Sequence, residues 1–138
     1  MLTLRRDEFE EMLAHAREAR PEECCGLLGG SGDEARSVYR LRNVAANRRT
    51  SYEAAPEDLF AAQREMRARG ERLLAVYHSH PESAKPEPSE RDVRLAFYPS
   101  AVYFIVGFTR EGEPVARAFR VFEAERRWER AEFRVGGG

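Results

Sequence analysis

The chain has 138 residues, enough for one domain, with 42% hydrophobic and 34% charged residues and a net charge of −1. Those values exclude a second full domain, a disordered or collagen-like chain, and any general electrostatic attraction to nucleic acid or to an anionic membrane. The longest unbroken apolar run, Ala101 to Val106, falls far short of the ~20 residues a membrane span needs, and Met1 to Arg6 contains no signal-peptide core, so a cytoplasmic location is expected.

Asp7 with Glu10 reads as a capping box, and Phe9, Met12, Leu13 and Ala16 recur at helical spacing until Pro21. This pattern predicts an amphipathic helix over 7–20, with His15 on its solvated, charged face. A short apolar stretch, Cys24 to Leu28, runs into the glycine-rich turn 29–33, and β character returns around Val38, Tyr39 and Leu41, which predicts a hairpin. Cys24 and Cys25 are the only cysteines; adjacent residues rarely form a disulfide, so they are read as buried strand residues. Pro56 suits a first helical turn, Leu59, Ala62 and Met66 share a face, and Gly70 sits at a C-terminal cap, predicting a second helix over 56–69.

Leu73 to Tyr77 is uninterrupted and apolar, as in a strand covered on both faces, and it delivers His78-Ser79-His80-Pro81 at its end. After the proline-rich segment Glu82 to Pro88, Ser89 opens a short helix reaching about Phe97, and Pro99-Ser100 ends it. Strands are expected over Ala101–Phe108, Pro114–Phe122 and Trp128–Val135. The order β-α-β-β-α-β-α-β-β-β implies a single compact α/β (α+β) domain over 1–135, a mixed sheet flanked by helices, followed by a flexible glycine tail, 136–138.

His78 and His80 stand at i and i+2, which on a strand puts both side chains on one face where they can share an ion. Ser89 and Asp92 then place a carboxylate at the start of a nearby helix. Two imidazoles and one carboxylate make the ligand set of a catalytic zinc, which keeps a fourth position for water. Ser89-x-x-Asp92 also reads as a plain N-cap with an acidic third residue, and both readings stand on spacing alone. Ser79 points to the opposite face, as a packing or hydrogen-bonding residue. Hydrolysis at such a centre needs a general base, and Glu22 and Glu23, at the start of a buried strand, are the candidates.

Glu23-Cys24-Cys25-Gly26-Leu27-Leu28-Gly29, His78-Ser79-His80-Pro81 and, seven residues on, Ser89-x-x-Asp92 together resemble the JAMM (MPN+) metalloprotease motif without a gap. The resemblance spans most of the chain and implies a curved mixed sheet with cytidine-deaminase-like layering. It further implies that His78, His80 and Asp92 bind Zn2+, that Glu23 is the catalytic acid/base, and that Ser89 donates to the tetrahedral oxyanion. The implied activity is cleavage of peptide or isopeptide bonds after the C-terminal Gly-Gly of a ubiquitin-like or sulfur-carrier β-grasp protein, with no nucleic acid or membrane partner. The tail is expected to lie between the strand ending at His78 and the loop Glu82 to Pro88. Two alternatives remain: a zinc peptidase acting on short peptides such as cell-wall fragments, and a metal-free interaction module of MPN type. A zinc deaminase would need Pro-Cys-x-x-Cys, which the adjacent Cys24 and Cys25 do not supply.

Overall fold

The computed structural model describes residues 1–136. In chain order the elements are β1 (Leu2–Arg5), α1 (Arg6–Ala19), β2 (Cys25–Ser31), β3 (Glu34–Leu41), α2 (Pro56–Ala68), β4 (Arg72–Ser79), α3 (Glu90–Arg94), β5 (Val102–Phe108), β6 (Pro114–Phe122), β7 (Arg127–Ala131) and β8 (Phe133–Gly136). They build one α+β domain around an eight-stranded mixed sheet of order β7-β6-β5-β4-β2-β3-β1-β8. Strands β7 and β8 end that order on opposite sides, yet only Glu132 separates them in the chain, so the sheet curls until its two edges meet. No helix is long and apolar enough to cross a membrane among the described residues.

Strand alternation sends neighbouring side chains of β4 and β5 into two different cores. Tyr77, Phe104 and Val106 pack with Leu4, Met12, Leu13 and Ala16 beneath α1. Val76, Tyr103 and Ile105 pack on the other side with Leu27, Ala62, Met66 and Val93, beneath α2 and α3. Gly26 is dictated by this packing, because a Cβ there would collide with the ring of Tyr77. That ring continues across to α1, where its hydroxyl lies 2.6 Å from His15 Nδ1.

Four expectations change. Helix α1 begins one residue before Asp7 and carries no side-chain N-cap, because β1 runs straight into it and leaves no turn for a capping residue; Asp7 and Glu8 instead sit in its first turn, where the helix dipole favours them. His15 is half-buried against Tyr77 rather than solvated. Helix α3 stops at Arg94, so the stretch to Phe97 is irregular. The expected last strand is two strands, and Gly136 belongs to β8, paired with Arg5, rather than to a tail; Gly137 and Gly138 lie outside the described residues.

Candidate active site

β4 runs between β2 and β5, with His78 in register with Cys25 on one side and Ile105 on the other. The pairing extends past the strand's end, since the His80 amide donates to the Val106 carbonyl at 2.8 Å. The chain then folds back over β5, where the Phe108 amide donates to the Ser83 carbonyl at 2.8 Å and Pro86 is buried. Gly107 permits this approach, because a Cβ there would strike the Ser83 carbonyl. His78 and His80 are thus fixed by backbone bonds on both sides.

Asp92 arrives from α3. The Ser89 hydroxyl accepts the Asp92 amide at 3.0 Å and Asp92 Oδ2 accepts the Ser89 amide at 2.8 Å, a reciprocal capping box that holds the carboxylate in one orientation. The same Oδ2 lies 3.2 Å from His78 Nε2 and 3.1 Å from His80 Nε2, and the two nitrogens are 3.1 Å apart. These three atoms form a nearly equilateral triangle. Ligands bonded to zinc at ~2.0 Å in a tetrahedron stand about 3.3 Å from one another, so the triangle has the dimensions of one tetrahedral face. The donor set therefore fits a divalent ion of zinc's preferences.

Charge and burial agree with that geometry. Burial pushes His78 down, with Asp92 opposing, so its imidazole is neutral and able to coordinate. For His80 burial also acts downward, but the Asp92 carboxylate outweighs it and the net shift is upward. Burial alone would raise Asp92; hydrogen bonds to the two histidines overcome it and hold the carboxyl well below its ordinary range.

Glu23 stands beside this triangle. A carboxylate oxygen of Glu23 and ring nitrogens of His78 and His80 all lie within 4.8 Å of one another, so three potential ligands meet there as well. Glu23 is only 7% exposed, and burial pushes its carboxyl up to about 7, with His80 opposing. Asp92 has the closer ligand spacing, whereas a carboxyl near pH 7 suits proton transfer. Glu22, by contrast, points outward and pairs with Arg48 at 3.2 Å. Ser79, fully buried, accepts the Cys24 amide on its hydroxyl at 2.9 Å. Cys24 and Cys25 are free and buried, and burial pushes their thiols up to about 11 and about 12.

Two hollows meet at the site. A cavity of about 520 Å3 holds Glu23, His80, Ser89 and Asp92, with Glu82 and Ser83 in its wall. A more apolar cleft of about 300 Å3, lined by Leu41, Leu59, Val76, Phe97 and Tyr103, adjoins it at Tyr52, Arg91 and Asp92. Tyr52, which lines both hollows, and Asn43, whose Nδ2 donates to the Glu23 carbonyl at 3.0 Å, lie in the loop between β3 and α2, where no periodicity signals them in the sequence.

The pattern of the prokaryotic homologs of the JAB domain matches residues 5–122. The chain belongs to that family. It is a small prokaryotic JAMM/MPN member and a JAMM-type hydrolase. It is 40% identical to the desampylase of Haloferax volcanii over 111 residues, 75% of this chain and 78% of that one. It is 31% identical to the CysO-cysteine peptidase of Mycobacterium tuberculosis over 124 residues, 89% of this chain and 84% of the relative. A Thermus thermophilus protein named as a probable TtuB-protein conjugate cleaving protease is 38% identical over 96 residues, 70% of this chain and 64% of its own length. Among solved structures, a Desulfitobacterium hafniense protein superposes with a TM-score of 0.85 at 36% identity, covering 100% of this chain and 94% of the other. A structure described as a JAMM metalloprotease-like zinc site shares the fold at 20% identity, with a TM-score of 0.62 and coverage of 99% and 98%.

Proposed function

We propose that this JAMM-type hydrolase is zinc-dependent and cuts peptide or isopeptide bonds after the C-terminal Gly-Gly of a ubiquitin-like or sulfur-carrier β-grasp protein. The observation that carries the reading is the triangle of His78, His80 and Asp92 beside the buried Glu23. Relatives named for desampylation, CysO-cysteine cleavage and TtuB-conjugate cleavage support the substrate class.

In this reading His78, His80 and Asp92 hold zinc, which when bound supplies Lewis-acid polarisation to water and to the scissile carbonyl. Glu23, with its carboxyl raised to about 7, accepts the proton of the attacking water and hands it to the leaving amine. The Ser89 hydroxyl accepts the Asp92 amide, so its own hydrogen stays free to donate to the oxyanion of the tetrahedral intermediate. The tail crosses the centre along the cavity walled by Glu82 and Ser83. Glycine suits the residues nearest the bond, because without a Cβ the tail's backbone approaches the site closely. The folded body of the modifier adds affinity by docking outside, and the reaction belongs in the cytoplasm.

The test uses zinc-loaded protein and a β-grasp substrate extended by a few residues past its Gly-Gly, with intact-mass readout. Replacing either tail glycine by valine, or removing the folded body, is expected to slow cleavage steeply. Equal cleavage of free short peptides carrying bulky residues at both positions would replace this reading with that of a general zinc peptidase.

A further inference from the structure

Tyr52 lies on the loop between β3 and α2, and its ring stacks on His78 with centroids 4.6 Å apart and an interplanar angle of 27°. His78 is 1% exposed, and its Nδ1 is buried without a hydrogen-bond partner among the described residues. Imidazoles that bind metal ordinarily give their second nitrogen to a carboxylate or carbonyl, which fixes the ring plane and the tautomer. Among the described residues no such acceptor orients the ring. We infer that Tyr52 is the positioning residue that sets the ring plane of His78, and that Asn43 holds Tyr52 in place.

The hydrogen bonds of Asn43 support the second half. Its Nδ2 donates to the Ser51 carbonyl at 3.0 Å and its Oδ1 accepts the Glu53 amide at 3.1 Å, so one side chain pins both chain neighbours of Tyr52. The same Nδ2 donates to the Glu23 carbonyl at 3.0 Å, and the Glu23 amide donates to the Arg48 carbonyl at 2.7 Å. This loop thus holds the Glu23 backbone at its carbonyl through Asn43 and at its amide through Arg48, while the same Asn43 side chain pins the neighbours of the residue stacked on His78. A stack restrains the tilt of an imidazole without consuming either nitrogen, which leaves Nε2 directed at Asp92 and His80.

The inference rests on the proposed metal role of His78, and its test separates the two. The 138-residue protein is compared with its Tyr52→Phe, Tyr52→Leu and Asn43→Ala variants. In the metal-free proteins, NMR of the His78 ring is expected to show the upfield ring-current shift of a stacked aromatic in wild type and Tyr52→Phe, and its loss in Tyr52→Leu. With cobalt(II) as the metal probe, Tyr52→Phe is expected to keep the wild-type visible spectrum. Tyr52→Leu and Asn43→Ala are expected to alter that spectrum, to weaken zinc affinity roughly tenfold in chelator competition, and to lower kcat with KM little changed. Unchanged His78 shifts, spectrum and zinc affinity in a folded Tyr52→Leu protein would overturn the inference and reduce Tyr52 to a cavity wall. Should Tyr52→Leu not fold, Asn43→Ala with wild-type values would overturn it equally. A wild-type protein that binds neither cobalt nor zinc would defeat the metal reading, while the ring shifts would still decide the stacking.

Discussion

Ser89 and Asp92 bond each other reciprocally, at 3.0 Å and 2.8 Å, and the Asp92 oxygen in that pair is the one facing both histidines. The N-cap reading and the site reading of Ser-x-x-Asp therefore describe one arrangement: the cap is the device that aims the carboxylate. Ser89→Ala should lose about 1 kcal/mol of stability as a missing N-cap and slow turnover by ~100-fold or more as a missing oxyanion donor, with zinc retained. Asp92→Ala should lose zinc itself. Thermal unfolding, metal analysis and rate on the same two proteins separate these effects; a Ser89→Ala enzyme that is less stable yet fully active would leave the hydroxyl with only its capping role.

Gly26→Ala is expected to destabilise by about 1–3 kcal/mol, the range for forcing atoms into a packed interior, because its Cβ would meet the Tyr77 ring. Urea unfolding measures this. A companion Gly32→Ala, at a turn position of φ +60° with no atom within 4 Å of the added Cβ, should show backbone strain without a clash and lose less.

What was legible in the sequence follows physical range. His78, His80, Ser89 and Asp92 fall within one strand end and one helix start, so they are neighbours in the sequence as they are in space. The hairpin of β2 and β3 and helix α2 carry their own turn and cap residues, including Gly32 and Gly70 at positive φ. The split of 127–136 into β7 and β8 was not legible, because strand-like residues continue through it and the break arises where the curled sheet brings its two edges together. The empty cap before α1 was hidden for a similar reason, since β1 passes directly into the helix. Tyr52 and Asn43 act through contacts with residues distant in sequence, Tyr52 on His78 and Asn43 on Glu23, and no periodicity marks such contacts.

His15 gives the fold a dependence on pH. Burial lowers its pKa from 6.5 to about 4, so as pH falls the unfolded chain takes up the proton first. The stability drawn from neutral His15 is complete above about 6.5, declines as pH drops toward 4, and levels off below that, where both states are protonated. Denaturation midpoints measured across this window should fall less steeply in His15→Gln than in wild type. Identical slopes would remove His15 from the acid sensitivity of the fold.

The two thiols, pushed up to about 11 and about 12 by burial, hold almost no thiolate at neutral pH. A disulfide reagent in excess should leave native protein unmodified and label both cysteines only at the rate of unfolding. Rapid labelling of either one in folded protein would mean that the chain opens locally at the start of β2.

The proposed reaction needs Glu23 beside a metal held by His78, His80 and Asp92 to cut after Gly-Gly. The most direct measurement sets zinc-loaded wild type and Glu23→Gln side by side against a folded β-grasp protein extended past its Gly-Gly, with intact mass and bound zinc determined for each. Wild type is expected to give a product ending at the second glycine, and the variant to carry equal zinc and give no product. Cleavage at another bond, or equal cleavage by Glu23→Gln, would contradict it.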